Sequence, residues 1–296
     1  MKRTDPATNA TLVLGGTGKT GRRIVERLSA RGVPVRVGSR SGLPPFDWED
    51  RKTWAPALRG MTSAYMTYYP DLAVPGAAAA VGSFAELAVQ SGVRRLVLLS
   101  GRGEAGAQLG EQAVRASGAD WTILRSSWFC QNFSEGNFLG MVLGGVVALP
   151  AGSVPEPFVD LDDVADVAVA ALTEEGHTGK VYELTGPRLL TFAEAVEVIA
   201  KASGREVRYA PTSMEEFVSA LEGHGEPEEV VSLLTYIFSE VLDGRNAHLA
   251  DGVRRVLGRV PRDFSEFARR AAAEGAWGSP PHRDLVAIDA ERREAH

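Results

Sequence analysis

Along the first 185 residues, short runs of consecutive apolar residues alternate with longer stretches whose apolar positions recur every three to four residues. The runs are Thr11–Leu14, Val33–Val37, Ser63–Tyr69, Arg95–Ser100, Trp121–Arg125 and Lys180–Leu184. A strand covered by helices on both faces of a parallel sheet reads as just such a run, because neither face meets water. The stretches Lys19–Arg31, Val81–Gln90, Leu109–Ser117 and Asp162–Leu172 carry helical periodicity. Strand alternating with helix predicts βαβ units, and so an α/β fold with a doubly wound parallel sheet.

Beyond residue 185 the pattern becomes helix after helix. Thr191 with Glu194 and Ser213 with Glu216 fit the S/T-x-x-E capping box, in which hydroxyl and carboxylate satisfy amide donors at a helix start. Pro227 suits the first turn of a further helix, whose apolar side chains run from Val230 to Val241 at helical spacing. The expected organisation is a sheet domain over residues 10–185 and a small, mostly helical C-terminal cap over 186–278, with 127–158 contributing to the cleft between them. Residues 1–9 and 279–296 lack an apolar stripe and read as loose tails.

Composition narrows the function classes. At 296 residues and 44% apolar, the chain can bury a core and carry a cap. Thirty-eight acidic against 32 basic side chains give a net charge of -6, so no global field draws the protein to nucleic acid. Its arginines, 27 against 5 lysines, are scattered. The single cysteine, Cys130, cannot form an internal disulfide, and a buried apolar role suits it. The first ten residues lack the apolar stretch of a secretory signal, and no run is long enough to span a bilayer. The expectation is a cytoplasmic protein that binds neither membrane nor nucleic acid; its oligomeric state is left open.

Directly after the first run stands Gly15-Gly16-Thr17-Gly18-Lys19-Thr20-Gly21, opening the helix Thr20–Ala30. Glycines at G-x-x-G-x-x-G spacing provide a tight turn, room for a pyrophosphate against bare backbone, and close helix-to-strand packing. The helix N-terminus offers free amides and a positive dipole end to phosphates. Strand, loop and helix in this order point to a Rossmann-type dinucleotide site, a merely structural glycine turn being the plain alternative. A triphosphatase P-loop is excluded, because an apolar residue of the first run stands where the G-x-x-x-x-G-K-[ST] pattern needs its first glycine. After the second run, Val37-Gly38-Ser39-Arg40 carries no carboxylate to bind a ribose 2′-hydroxyl, while Ser39 and Arg40 suit a 2′-phosphate. NADP (NADPH) is therefore expected over NAD, unless Arg40 is simply a solvated loop residue.

The usual proton donor of short-chain dehydrogenases, a tyrosine four residues before a lysine, is missing: no Tyr-x-x-x-Lys occurs, and no lysine lies between Lys52 and Lys180. There is no G-x-S-x-G elbow, and the five histidines lack metal-ligand spacing. Asp160, Asp162 and Asp163 precede a helix and read as caps. No catalytic residue is assigned.

The segments LVLGGTGKTGRRI, VRVGSRSG, RRLVLLSGRG, Trp121–Arg125, Trp128–Phe133 and Phe158-Val159-Asp160 together resemble the NmrA-like, atypical short-chain dehydrogenase/reductase family over nearly the whole chain. GGTGKT, SRSG and the stretch Phe46–Asp50 with Thr53-Trp54 are most similar to its festuclavine and agroclavine dehydrogenase branch and bacterial relatives. The resemblance implies an oxidoreductase whose Gly15, Thr17, Gly18, Lys19 and Thr20 hold phosphates, with the 2′-phosphate on Ser39 and Arg40. It implies that Tyr69, Pro70 and Ser100 border the nicotinamide and that Trp128, Phe129 and Asn132 line a small-molecule pocket, although Trp128 and Phe129 also suit packing between domains. Asp47 is a further candidate, for the adenine. The branch accommodates the missing tyrosine: hydride transfer to an iminium or conjugated acceptor needs little enzymic acid, so orientation can carry much of the rate. Ser100 and Glu104 are candidates to assist. The expected function is NAD(P)H-dependent reduction of a small imine, iminium or conjugated carbonyl, with an NADPH-dependent quinone reductase and a non-catalytic NADP-sensing regulator as alternatives.

Overall fold

The computed structural model describes residues 10–278; the two segments read as tails lie outside it. Strands β1 (Thr11–Leu14), β2 (Val35–Gly38), β3 (Ser63–Met66), β4 (Arg95–Gly101) and β5 (Asp120–Ser126) form one six-stranded sheet with a later strand, Lys180–Leu184. Between β5 and that strand lies β6 (Val146–Leu149), which makes Lys180–Leu184 β7. The order is β2-β1-β3-β4-β5-β7, and every pairing is parallel. This is the expected doubly wound α/β sheet.

Alternation along the strands explains both coats. Leu12 and Leu14 of β1, Ala64 and Met66 of β3 and Leu96 and Leu98 of β4 point to one face, into a core with Phe84, Ala85 and Val114. That face is covered by helices α2 (Trp54–Leu58), α3 (Ala77–Gln90) and α4 (Ala105–Ala116), following α1 (Lys19–Ala30) on the other side. Val13, Tyr65 and Val97 point the opposite way, onto Ile24 and Leu28 of α1 and Val164 and Ala168 of a helix at Leu161–Thr173. After the short helices α5 (Asn132–Glu135) and α6 (Leu139–Leu143), this helix is α7.

The remainder comprises α8 (Phe192–Ser203), β8 (Arg208–Pro211), α9 (Met214–Gly223), α10 (Glu228–Tyr236), α11 (Gly252–Leu257) and α12 (Phe264–Ala273). Thr191 and Ser213 each close a capping box with Glu194 and Glu216, as the spacing predicts. The region beyond 185 is mostly helical, as expected, and adds one strand: β8 pairs in parallel with β6, and neither shows in the sequence because each is only four residues long. Pro227 stands just before α10 as its N-cap, and the helix continues into a π-helical turn, Ile237–Val241. A third core, rich in phenylalanine, joins Phe133, Phe138 and Phe158 to Phe192, Phe238, Phe264 and Trp277, so much of 130–158 and 190–277 packs as one body, while α11 sets Val253 into the core between the sheet and α7.

That body is tied to the sheet domain through the acidic start of α7. Asp160 caps the helix by accepting from the Asp162 amide. Asp160 also pairs with Arg270 at 2.6 Å, and Asp163, fully buried, pairs with Arg259 and Arg262. On the other side Asp162 and Asp166 pair with Arg27 of α1.

Candidate functional site

Sheet order reverses between β1 and β3, and in such sheets the crevice beyond the carboxyl ends of the strands is the place for a ligand. Across that edge lie, in order, Ser39-Arg40 after β2, the glycine loop after β1, Thr67–Pro70 after β3 and Ser100 in β4. Three strand spacings of ~4.8 Å place the first and last of these ~14 Å apart, the scale of an extended dinucleotide.

The glycine loop is tight and bare. Gly15 takes a φ of 62°, and its amide donates to the Gly38 carbonyl at 2.9 Å, joining the loop to β2. A Cβ on Gly21 would stand 2.2 Å from the Gly15 carbonyl oxygen, so α1 can leave the sheet this closely only without one. No side chain caps α1 at Gly18, and no acidic residue stands in its first turn. An uncapped helix start beside exposed Thr17 and Gly18 is chemically suited to phosphate oxygens. Thr20 is buried in that first turn. Ser39 is half-buried, and Arg40 is exposed with no ion-pair partner among the described residues. Asp47 follows in the next loop, its carboxylate accepting from the Glu49 amide. The neighbouring Trp48 donates its indole N–H to the Thr67 carbonyl at 3.0 Å, which pins this loop to the end of β3 and halts that strand at Met66.

On the far side of the glycine loop the structure brings six of the expected residues onto one cavity of about 240 Å³: Lys19, Pro70, Ser100, Trp128, Phe129 and Asn132. Tyr69 is exposed at the rim, and Gly15, Thr17, Gly18, Thr20, Ser39 and Arg40 lie outside the cavity wall. Lys19 does not simply face the loop: its ammonium donates to the Asn132 amide oxygen at 3.2 Å, and burial holds it below the usual lysine value. Ser100 donates to Glu111 Oε1 at 2.8 Å, and Glu111 is held in turn by Arg125. The Ser100 proton is thus committed. Trp128 both packs and lines, stacking on Phe138 at 5.9 Å between ring centres while facing the cavity. Leu233, Leu234, Ile237 and Val241, from α10 and its π-helical turn, close the cavity from the cap side.

Sequence reasoning missed a polar group in the same wall: Asp71, Arg102, Glu156 and Asn246. Arg102 is buried, with its Nε on Glu183 at 3.0 Å and Nη1 on the Asn246 carbonyl at 2.9 Å. Burial, reinforced by Asp71, pushes the Glu104 carboxyl well above its ordinary range. Glu156 is pushed up to about 7, by burial and by Asp243 against the opposing pull of Arg102. Glu104 Oε2, both Glu156 oxygens and the Ser126 and Ser127 hydroxyls have no hydrogen-bond partner within the protein. Buried polar atoms normally find partners, so their convergence on one cavity suits a polar ligand. The one cue for Glu156 in the sequence was a lone carboxylate between Pro155 and Pro157 in an otherwise apolar segment.

No family model matches the chain. Among individual proteins, the uncharacterized oxidoreductase YesF of Bacillus subtilis is 33% identical over 277 residues, 90% of this chain and 96% of that protein. The NAD(P)H azoreductase of Xenophilus azovorans is 30% identical over 90% of this chain and 99% of its own, and an agroclavine dehydrogenase of Claviceps fusiformis is 30% identical over 86% and 95%. Of solved structures, Citrobacter sp. triphenylmethane reductase complexed with NADP(H) superposes with a TM-score of 0.71 at 21% identity, covering 88% of this chain and 99% of that one. The Escherichia coli quinone oxidoreductase QOR2 with NADPH gives the same TM-score, identity and coverage. With these relatives aligned over 86–90% of its length, the chain belongs to the NmrA-like, atypical short-chain dehydrogenase/reductase family of oxidoreductases.

Proposed function

We propose that this protein is an NADPH-dependent reductase that transfers hydride to a small unsaturated organic molecule, an imine, iminium or conjugated carbonyl, without a Tyr-Lys pair. The observation that carries the reading is the cavity itself: it opens beside the glycine loop at the ends of β3 and β4 and is walled by aromatic side chains. The bare loop and uncapped α1 fit a dinucleotide pyrophosphate, and Ser39 with Arg40 fit its 2′-phosphate. Bound NADPH supplies the hydride; the chain supplies position and a dry site. Pro70 and Ser100 border the reactive end of the cleft, Trp128 and Phe129 offer aromatic surface to a flat acceptor, and Asn132, fixed by Lys19, orients its polar edge. At about 240 Å³ the cavity admits one or two fused rings, below the ~300–1,000 Å³ of drug-sized pockets. Relatives named for azo and agroclavine chemistry agree with a planar, unsaturated acceptor.

The test is NADPH oxidation followed against cyclic imines, N-alkylated iminium salts, azo dyes and quinones. Turnover on imines or enones supports the reading, and turnover confined to quinones would move the assignment to a quinone reductase. A flat response to every acceptor, with NADPH still bound, would contradict it in favour of a sensor of the cofactor.

A further inference from the structure

Glu156 is the one carboxyl group in the cavity wall with both oxygens unpartnered. Only 1% of the residue is exposed, yet it forms part of the cavity lining. Its backbone is clamped: the amide donates to the Leu190 carbonyl at 2.8 Å and the carbonyl accepts from the Leu190 amide at 3.0 Å, between two prolines. A side chain on so fixed a backbone is poised rather than roaming, and nothing in the protein consumes its hydrogen-bonding capacity. The other carboxyls of the cavity are differently placed. Asp71 accepts from the Ala73 amide, and Glu104, buried beside Asp71, has only one of its two oxygens without a partner.

We propose that Glu156 is the acid that replaces the missing tyrosine, donating a proton to the heteroatom of a neutral acceptor as hydride arrives at its electrophilic carbon. The assignment rests on the reductase reading above. For an imine the balance is complete: the nitrogen takes the Glu156 proton and the carbon takes hydride. The former C=N π pair ends as the nitrogen lone pair, leaving an amine, NADP+ and a Glu156 carboxylate. Solvent then returns the proton to Glu156 through the cleft. The same transfer serves the oxygen of a conjugated carbonyl.

Charged neighbours set the acid for this work. Arg102, from the loop after β4, favours the carboxylate, whereas Asp243, from the loop after α10, favours the acid. Lys19, Tyr68, Asp71 and Glu104 are the remaining ionisable groups of the wall, and Arg102 is itself balanced by Glu183. Burial tips the sum toward a proton held up to about pH 7, where a general acid is most effective.

Two measurements on the full chain decide the matter. In the first, Glu156→Gln is compared with wild type on a neutral cyclic imine and on its N-methylated cation, which needs no proton. The expected result is a kcat loss of roughly 100-fold on the neutral acceptor and a far smaller one on the cation, with the NADPH dissociation constant unchanged. Wild-type kcat on the neutral acceptor should fall above about pH 7, and that limb should vanish in the variant. Equal losses on both acceptors would overturn the proton role while leaving the reductase reading intact; a wild type inert to both would remove that reading first. In the second, infrared difference spectra of protein without acceptor are recorded between about pH 5 and 9. A protonated-carboxyl band that titrates near 7 in wild type and is missing from Glu156→Gln supports the assignment; identical spectra overturn it.

Discussion

Two residues carry the proposals at this scale, Arg40 for the cofactor and Glu156 for the proton, and each makes a testable claim. Arg40 follows β2 in the place where the chemistry of a 2′-phosphate calls for a cation, and it is exposed and free among the described residues. Arg40→Ala is expected to weaken NADPH by about 10- to 100-fold, the scale of a lost charge-assisted pair, while leaving NADH nearly unchanged; fluorescence titration with both cofactors checks it. Glu156 is expected to show in stability as well as in turnover. Its folded value of about 7 lies above the ordinary carboxylate range, so the native state holds a proton that the unfolded chain releases. The stabilising contribution is therefore complete at acid pH, below the unfolded value, and is lost as pH rises through the folded value. By pH 8 the loss is on the order of 3 kcal/mol. Urea unfolding of wild type and Glu156→Gln at pH 5 and pH 8 should show the variant gaining on wild type as pH rises, about 2 kcal/mol over that span. Lys19, Pro70, Ser100 and Asn132 were reached through the resemblance to the family, which places them in the cleft, and not through any local spacing. Sequence reasoning missed Arg102 and Asn246 because they meet across 144 residues of chain, and Glu156 because the cavity wall it joins is assembled from segments far apart in sequence.

At the scale of elements, local rules did well where the signal is local. β1 and β7 run over the residues their apolar patterns mark, and both capping boxes form. The glycine loop sits where a strand and a helix must turn within the four residues Gly15–Gly18. Gly21→Ala tests that loop. Its new Cβ would meet the Gly15 carbonyl at 2.2 Å, so α1 must shift, costing about 2–3 kcal/mol and the cofactor grip together. Thr191→Ala is the contrasting change: it removes one cap of α8, costs about 1 kcal/mol in thermal unfolding and leaves NADPH affinity alone. The elements that escaped the sequence are short. β6 and β8 have four residues each and little alternation, and α5 and α6 have four and five residues, too few to show a period.

For the whole molecule, the cavity exists because two bodies meet. The sheet domain presents strand ends and the glycine loop, and the phenylalanine-rich body lays α10 and its π-helical turn over them. π-helical turns concentrate at functional sites because they re-aim side chains that a regular helix would carry past; here Ile237 and Val241 are turned onto the cavity. The joint is held in part by the fully buried Asp163 and its arginines, Arg259 and Arg262. Asp163→Ala is expected to cost about 2–3 kcal/mol, less than the ~3–5 of a wholly buried pair because both arginines keep some contact with water. No described helix is long and apolar enough to cross a membrane. The central claim is that the amides of the glycine loop, with Arg40, grip a phosphorylated nicotinamide dinucleotide. Calorimetric titration of wild type and Arg40→Ala with NADPH and NADH tests it most directly. The expected result is NADPH binding at least about tenfold tighter than NADH in wild type, with the difference erased in the variant. No heat from either cofactor, or equal affinities in wild type, would contradict it.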